Sequence, residues 1–299
     1  MDEKPMKENL SFLLPGIVSE KDYQSVRLFY GRDLGGKAFF DWKHFQDVDC
    51  GQVPKKQIYR YQQQQRIKGI VISSCYTFYF NQQQRRAVVI GDLGIEDTLK
   101  STNIVKQLVL SGHQQPSDII ICHSDHRKIA IYKKIFDKCT DTNNLIIPFL
   151  DVVIESQATA ACYQAVAPQH FAEVSFHNNL GRRKDNHYFN YLQQHPLYTG
   201  FHFIRNKDFY CVIGMREEYA EIVELSSTSN EIYHWAIAAT LNFHARCKIL
   251  VPQARLEYLI KESSKLISQK DLNLLISSYP NQALDFDPDH LWISRLERR

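Results

Sequence analysis

No apolar run in the 299 residues approaches the roughly 20 residues that a membrane-spanning helix needs. The first ten residues, MDEKPMKENL, hold no hydrophobic signal region, so a soluble, cytoplasmic protein without a membrane partner is expected. CxxC pairs are absent as well: the seven Cys occur singly, and Cys75, Cys122 and Cys211 fall inside apparent strands. That pattern predicts free, mostly buried thiols in a reducing compartment rather than disulfides. The net charge of +3 is too small to imply an acidic polymer as partner. Lys55-Lys56 and Arg182-Arg183-Lys184 therefore read as solvated loops, and no nucleic-acid partner is expected. There is no GxSxG, no Walker loop, no GxGxxG and no HExxH. Cys122, His123, Asp125 and His126 crowd into CHSDH, but consecutive residues point apart, so no metal site is expected.

Aromatic residues are plentiful, with 16 Tyr and 17 Phe, enough to fill packed cores. The most readable stretch is RAVVIGDLGIEDTLKSTNIVKQLVLSGHQQPSDIIICHSDHRKIAIYKKIF, residues 86–136. Ala87 to Ile90 is a short β-branched run. A helix follows from Ser101 or Thr102, with Ile104, Val105, Leu108 and Val109 on one face, and it stops at Ser111-Gly112. Asp118 to Cys122 is a second strand that does not alternate, as expected of a parallel strand buried on both faces. A second helix carries Ile129, Tyr132 and Phe136 at spacings of three and four. Upstream, the pattern predicts strands at 11–17, 57–62, 67–80 and 86–95 and a helix at 20–30; the region 31–53, with Trp42, His44 and Phe45, reads as irregular.

This order of elements resembles the acyl-coenzyme A N-acyltransferase superfamily called GNAT. The family's pyrophosphate loop runs roughly Arg-Gly-x-Gly-Ile-Gly-x-x-Leu, and its best match here is Lys100 to Leu108, KSTNIVKQL, in which Lys100, Ile104 and Leu108 fit. The family's next helix often reads Ala-x-x-Leu-Tyr-x-Lys-x-Gly-Phe, and HRKIAIYKKIF at 126–136 keeps the Tyr-Lys-Lys. The resemblance implies a mixed α/β sheet flanked by helices. It also implies acetyl-coenzyme A or another acyl-coenzyme A, or an acyl-carrier thioester, as acyl donor, and a small-molecule or protein amine as acceptor.

The same order returns downstream. After a strand at 145–155 that closes the first half, strands are predicted at 199–205, 209–215, 220–225 and 248–251, with helices at 188–194 and 255–267. Thr228-Ser229-Asn230-Glu231 is a capping box before a further helix that places Ile232, Trp235, Ala236, Ala239 and Phe243 on one face. The offset between the two series is roughly 130 residues, near one domain. The expected architecture is therefore two GNAT-like domains in tandem, 1–157 and 158–299.

A helix N-terminus binds phosphate through its open N–H groups and partial positive charge. The candidate cofactor residues are accordingly Leu93, Gly94, Lys100, Ser101, Thr102 and Asn103 in the first half and Ser226, Ser227, Thr228 and Ser229 in the second. In the resembled family a Tyr at the place of Tyr132 protonates the departing thiolate. Tyr258 stands one turn earlier on the corresponding helix. Asp92 and Glu96, and Glu224 in the second half, are candidates for the base that deprotonates the amine. The expected activity is N-acyl transfer; the alternative is an inactive module of the same fold used for ligand sensing or protein interaction.

Overall fold

The computed structural model describes residues 11–30, 36–47, 56–63, 65–80, 83–97, 103–113, 116–156, 161–171, 179–207, 209–260, 264–280, 285 and 287–293. The first series of elements is β1 (Ser11–Ile17), α1 (Asp22–Tyr30), α2 (Gly36–Phe45), β2 (Lys56–Gln63), β3 (Arg66–Phe80), β4 (Gln83–Ile95), α3 (Asn103–Gly112), β5 (Ile119–Ser124), α4 (His126–Cys139), β6 (Asn143–Ile147) and β7 (Phe149–Ser156). The second is β8 (Gln164–Ala165), β9 (Asn179–Arg182), α5 (Asn186–Gln193), β10 (Gly200–Asn206), β11 (Phe209–Met215), β12 (Ala220–Leu225), α6 (Asn230–Leu241), β13 (Arg246–Pro252), α7 (Leu256–Ile260), β14 (Ser264–Asp271), β15 (Asn273–Ser278) and β16 (Trp292–Ile293).

Two mixed sheets result. One runs β1-β2-β3-β4-β5-β15-β6, with β9 also on β3 and β16 on β9; the other runs β14-β7-β13-β12-β11-β10-β8. The repeat predicted from sequence is visible in this order: β2-β3-β4-β5 matches β10-β11-β12-β13, and each of these four-strand runs holds one parallel pair, β4 with β5 and β12 with β13. Two strands, β7 and β15, are exchanged between the series. β7 lies antiparallel between β13 and β14, and β15 lies antiparallel between β5 and β6. The division at residue 157 therefore does not partition the sheets, since β7 precedes it and serves the second sheet while β9, β15 and β16 follow it and serve the first. Pro148 makes the crossing possible. It falls between β6 and β7, where a residue without an N–H breaks the ladder, so the single strand expected at 145–155 is two strands in different sheets.

The non-alternating IIIC of β5 is explained by two covers. Ile120 and Cys122 join Leu108 and Val109 of α3 and Ile129, Tyr132 and Phe136 of α4 in one core. Ile119 and Ile121 face the other way, into a core shared with Phe149, Leu250, Leu291 and Ile293. The inner face of the first sheet is thus packed against elements of the second half. Gly69 lets α3 lie close, because a Cβ there would stand 3.0 Å from Leu108 Cδ1. Two elements differ from the sequence expectation. The helix expected at 255–267 is one short helix, α7, followed after residues 261–263 by strand β14. The region read as irregular contains α2, whose sequence GKAFFDWKHF begins at Gly36 with φ 74° and carries an i,i+4 pair, Lys37 with Asp41.

Candidate functional site

β4 and β5 pair in parallel only from Ala87–Ile119 to Ile90–Cys122. Beyond that point β4 runs on to Ile95 and β5 to Ser124 with no further pairing between them. At the same place β4 bulges against β3: Gly91 opposes Ile72 and Gly94 opposes Ile70, so Asp92 and Leu93 together face the single residue Val71. A bulge takes a residue out of the ladder and bends the strand. Asp92 adopts φ 47°, a left-handed conformation that Asp tolerates better than most residues. The result is a parting of the two strands, with the backbone of Leu93 and Gly94 on one side and the end of β5 on the other.

Tyr132 stands on α4, which Asp125 caps by accepting from the Lys128 N–H at 3.0 Å. Asp125 thus has a local structural role within CHSDH. Tyr132 is 8% exposed and packs with Ile129 and Phe136. Burial pushes its phenol well above the ordinary tyrosine value, Cys122 and Asp125 add to the shift, and a bond with Ser124 at the end of β5 opposes it. The hydroxyl therefore holds its proton at neutral pH, beside the tip of the strand that leaves β4.

Asp92 is in a different state from the one its sequence position suggested. Lys43 Nζ, from α2, lies 2.7 and 2.6 Å from its two carboxylate oxygens, and His44 Nε2 lies 3.3 Å from one of them. Burial alone would raise this carboxyl, but the Lys43 ammonium and then the His44 imidazole outweigh it and hold the group far below the usual carboxylate range. A carboxylate so stabilised and enclosed is a poor proton acceptor for an incoming amine, and Asp92 is better described as the anchor of the bulge. His44 is enclosed too, and burial pushes its pKa down to about 4. Glu96, just past β4, is 36% exposed at its side chain and pairs with Lys68 at 2.7 Å. Asn103 is exposed at the first turn of α3; Lys100, Ser101 and Thr102 lie outside the described residues.

The second half repeats the bulge and the short parallel pairing. β12 bulges against β11 between Ile222 and Glu224, and β12 and β13 pair only at Ala220–Cys247 and Glu221–Lys248. Ser226 Oγ accepts from the Tyr210 N–H at 3.0 Å, Ser227 Oγ from Ser229 N–H and Ser229 Oγ from Ile232 N–H, each at 3.4 Å, and Thr228 is 1% exposed. The Ser226, Ser227 and Ser229 hydroxyls serve the chain's own backbone. The Arg255 guanidinium donates to Asn230 Oδ1 at the first residue of α6, and Trp292, fully buried, packs in one core with Leu225, Tyr233 and Val251. Glu224 is also fully buried, accepts from the Tyr188 hydroxyl and lies 3.1 Å from Lys184 Nζ. Tyr258 is 41% exposed and lies edge-on to His234.

The basic residues expected in solvated loops are in part buried. Lys56, Arg182 and Lys184 are each no more than 8% exposed. Lys56 Nζ donates to the Lys43 carbonyl at the end of α2 and lies 2.7 Å from Asp47, which also pairs with Arg182 and accepts from Tyr76 at 2.6 Å. Sequence reading missed Lys43 and gave His44 no role beyond its place in a region read as irregular. The signal available was the spacing of Phe39, Trp42 and Phe45, with Phe40 and His44 four apart, which suits a helix two of whose faces are covered.

No protein-family profile and no curated protein sequence matches the chain. Solved structures do. A candidate acetyltransferase from Pyrococcus horikoshii is similar over 98% of both chains, with a TM-score of 0.56 at 14% identity. A GCN5-related N-acetyltransferase from Anabaena variabilis is similar over 88% of this chain and 72% of its own, with a TM-score of 0.55 at 11% identity. A third, from Kribbella flavida and also described as GCN5-related, covers 89% and 71%, with a TM-score of 0.53 at 9% identity. The parted parallel strands, the bulge beside them and these neighbours agree on one conclusion: the chain has the GNAT fold, built as two mixed sheets flanked by helices.

Proposed function

We propose that the protein transfers an acyl group from an acyl-coenzyme A thioester to an amine, with the thioester lying between β4 and β5 of the first half. The observation that carries this reading is the coincidence, at one place, of the strand parting, the bulge at Asp92 and Leu93, and a protonated Tyr132 hydroxyl. The amine nitrogen attacks the thioester carbonyl carbon, the C–S bond breaks, and the nitrogen sheds its proton to water or to Glu96. Backbone N–H at Leu93 and Gly94 supports the charge that develops on the carbonyl oxygen. Tyr132 donates its hydrogen to the departing sulfur and regains a proton from solvent. Asn103 and the start of α3 suit the phosphates. The second half is assigned a supporting role, because its hydroxyl-rich turn is engaged with its own backbone and Arg255 occupies the start of α6.

Calorimetry with acetyl-coenzyme A and longer acyl forms tests the binding, and Tyr132→Phe tests the chemistry. If the phenol serves the leaving group, turnover falls by about 10²- to 10⁴-fold with little change in melting temperature. If it is a core tyrosine, the change costs about 0.5 to 1.5 kcal/mol of stability and leaves activity near normal. One observation favours the alternative of an inactive sensing or interaction module: Asp92, the carboxylate in the bulge, is neutralised by Lys43. Tight binding of acyl-coenzyme A with no transfer to any amine supports that reading.

A further inference from the structure

α2 belongs to both halves. Its Lys43 and His44 reach the β4 bulge through Asp92, and Phe40 packs in the first-half cluster of Ile58, Ile70 and Ile72. Its Trp42 points into an aromatic cluster of the second half, with Phe171, Tyr188, Phe189, Tyr191 and Tyr198. The contact is specific: the Trp42 ring stacks parallel on Tyr191 with centroids 4.3 Å apart, its indole N–H donates to the Tyr191 carbonyl at 3.0 Å, and the His195 ring lies 4.0 Å away. Trp42 and Lys43 are neighbours in sequence, so a shift of the helix that moves one moves the other. Asp92, for its part, sits in a left-handed conformation within the bulge, where its carboxylate is the handle by which the backbone can be held.

We propose that Lys43 is a positioning residue of the thioester site: it fixes the β4 bulge through Asp92, and the second half fixes Lys43 through Trp42. This rests on the reading that the parting between β4 and β5 takes an acyl-coenzyme A thioester. The second half then acts on the first-half site without touching the thioester. A continuous set of buried contacts supports the link. From Lys43 it runs through Lys56 and Asp47 to Arg182, whose guanidinium lies 5.4 Å from the Tyr188 ring, and from Tyr188 to Glu224 at the bulge of β12.

The test isolates the carbonyl that the bulge would hold. Affinity for acetyl-coenzyme A is compared, by calorimetry, with affinity for S-ethyl-coenzyme A, a thioether with CH2 in place of C=O. The unaltered protein is expected to prefer the thioester by about 3- to 10-fold, the worth of one neutral hydrogen bond. Lys43→Met, Asp92→Asn and Trp42→Phe are each expected to bring that preference to about one while changing affinity for the thioether by less than about twofold, since the thioether makes no bond to the bulge. A purely structural role for these residues lowers the melting temperature and leaves the preference intact, and that result overturns the proposal. Lys43→Met leaves a buried carboxylate uncompensated; should it fail to fold, Asp92→Asn, which keeps an acceptor for Lys43, and Trp42→Phe decide alone. If the unaltered protein binds both compounds without preference, the bulge holds no carbonyl and the proposal falls while the site reading stands. If it binds neither, the site reading itself falls, and the role of Lys43 with it.

Discussion

His44 shows how burial converts a common side chain into a pH-dependent term. Its pKa falls from 6.5 to about 4 on folding because the ring is enclosed, so between those values the unfolded chain binds more protons than the folded one. Stability conferred by the neutral ring is therefore complete above about pH 6.5 and drains as the pH falls toward 4, by about 3 kcal/mol in all. The expected outcome is a melting temperature that drops between pH 6.5 and 4 and drops less in His44→Leu, measured as the difference between the two proteins at each pH. The thiols give a second check. Cys122, Cys211 and Cys247 are buried, Cys75 is partly covered, and Cys139 and Cys162 are exposed, so the expectation of mostly buried thiols holds for half of those described. Cys139 and Cys162 should react first with a thiol reagent in the native protein, with Cys122, Cys211 and Cys247 reacting only after denaturation. The position of Tyr132 was legible in the sequence because it sits in a regular helix, and that of Asp92 because the apolar run before it marks the strand that leads into the bulge. Their chemical states were not, because Lys43 is 49 residues from Asp92 and no local pattern joins them.

Among the elements, α2 carries the most consequence for its length. Trp42 is 2% exposed and stacks on Tyr191, so Trp42→Ala removes a large buried surface and one of the N–H donors to the Tyr191 carbonyl, which keeps the Gln194 N–H at 3.2 Å. A loss of about 3 to 5 kcal/mol is expected, read by urea denaturation. The parallel β4-α3-β5-α4 series was read correctly from sequence, since periodicity, caps and the unbroken IIIC run all agree there. α2 was not, because its apolar residues lie on two faces that serve two different cores, and a helix covered on both sides shows no single stripe. The error at 255–267 has another cause. Leu256, Leu259 and Ile260 keep helical spacing for one turn only, and the following SKLISQKD is an edge strand next to β7 alone, with most of its described side chains exposed, too weakly patterned to announce itself.

At the scale of the whole molecule, the exchange of β7 and β15 ties the two sheets into one cooperative unit. Removing 273–299 takes a central strand from the first sheet, and a chain so shortened should fail to give a folded first half. Fragments 1–157 and 158–299, each missing strands that the other carries, are expected to be insoluble when produced apart and to assemble when produced together; a folded, monomeric 1–157 by itself would contradict this. The tandem repeat could be seen in the sequence because its elements recur in order. The exchange could not, because which sheet a strand enters is decided by pairing partners more than 90 residues away, as Arg246 with Glu155 shows.

The same exchange sets an order of events on the ribosome. β5 and β6 are synthesised early, but the strand that belongs between them is supplied only after roughly 125 more residues, or roughly 6 to 25 s at about 5 to 20 residues per second. During that interval the β5 edge, with Ile119 to Cys122, offers open backbone groups and an apolar surface, the form in which strands recruit foreign partners. A second nascent chain on the same message carries the same β15. Crowded synthesis should therefore produce dimers that trade this strand between chains, at the expense of monomers that close it within one.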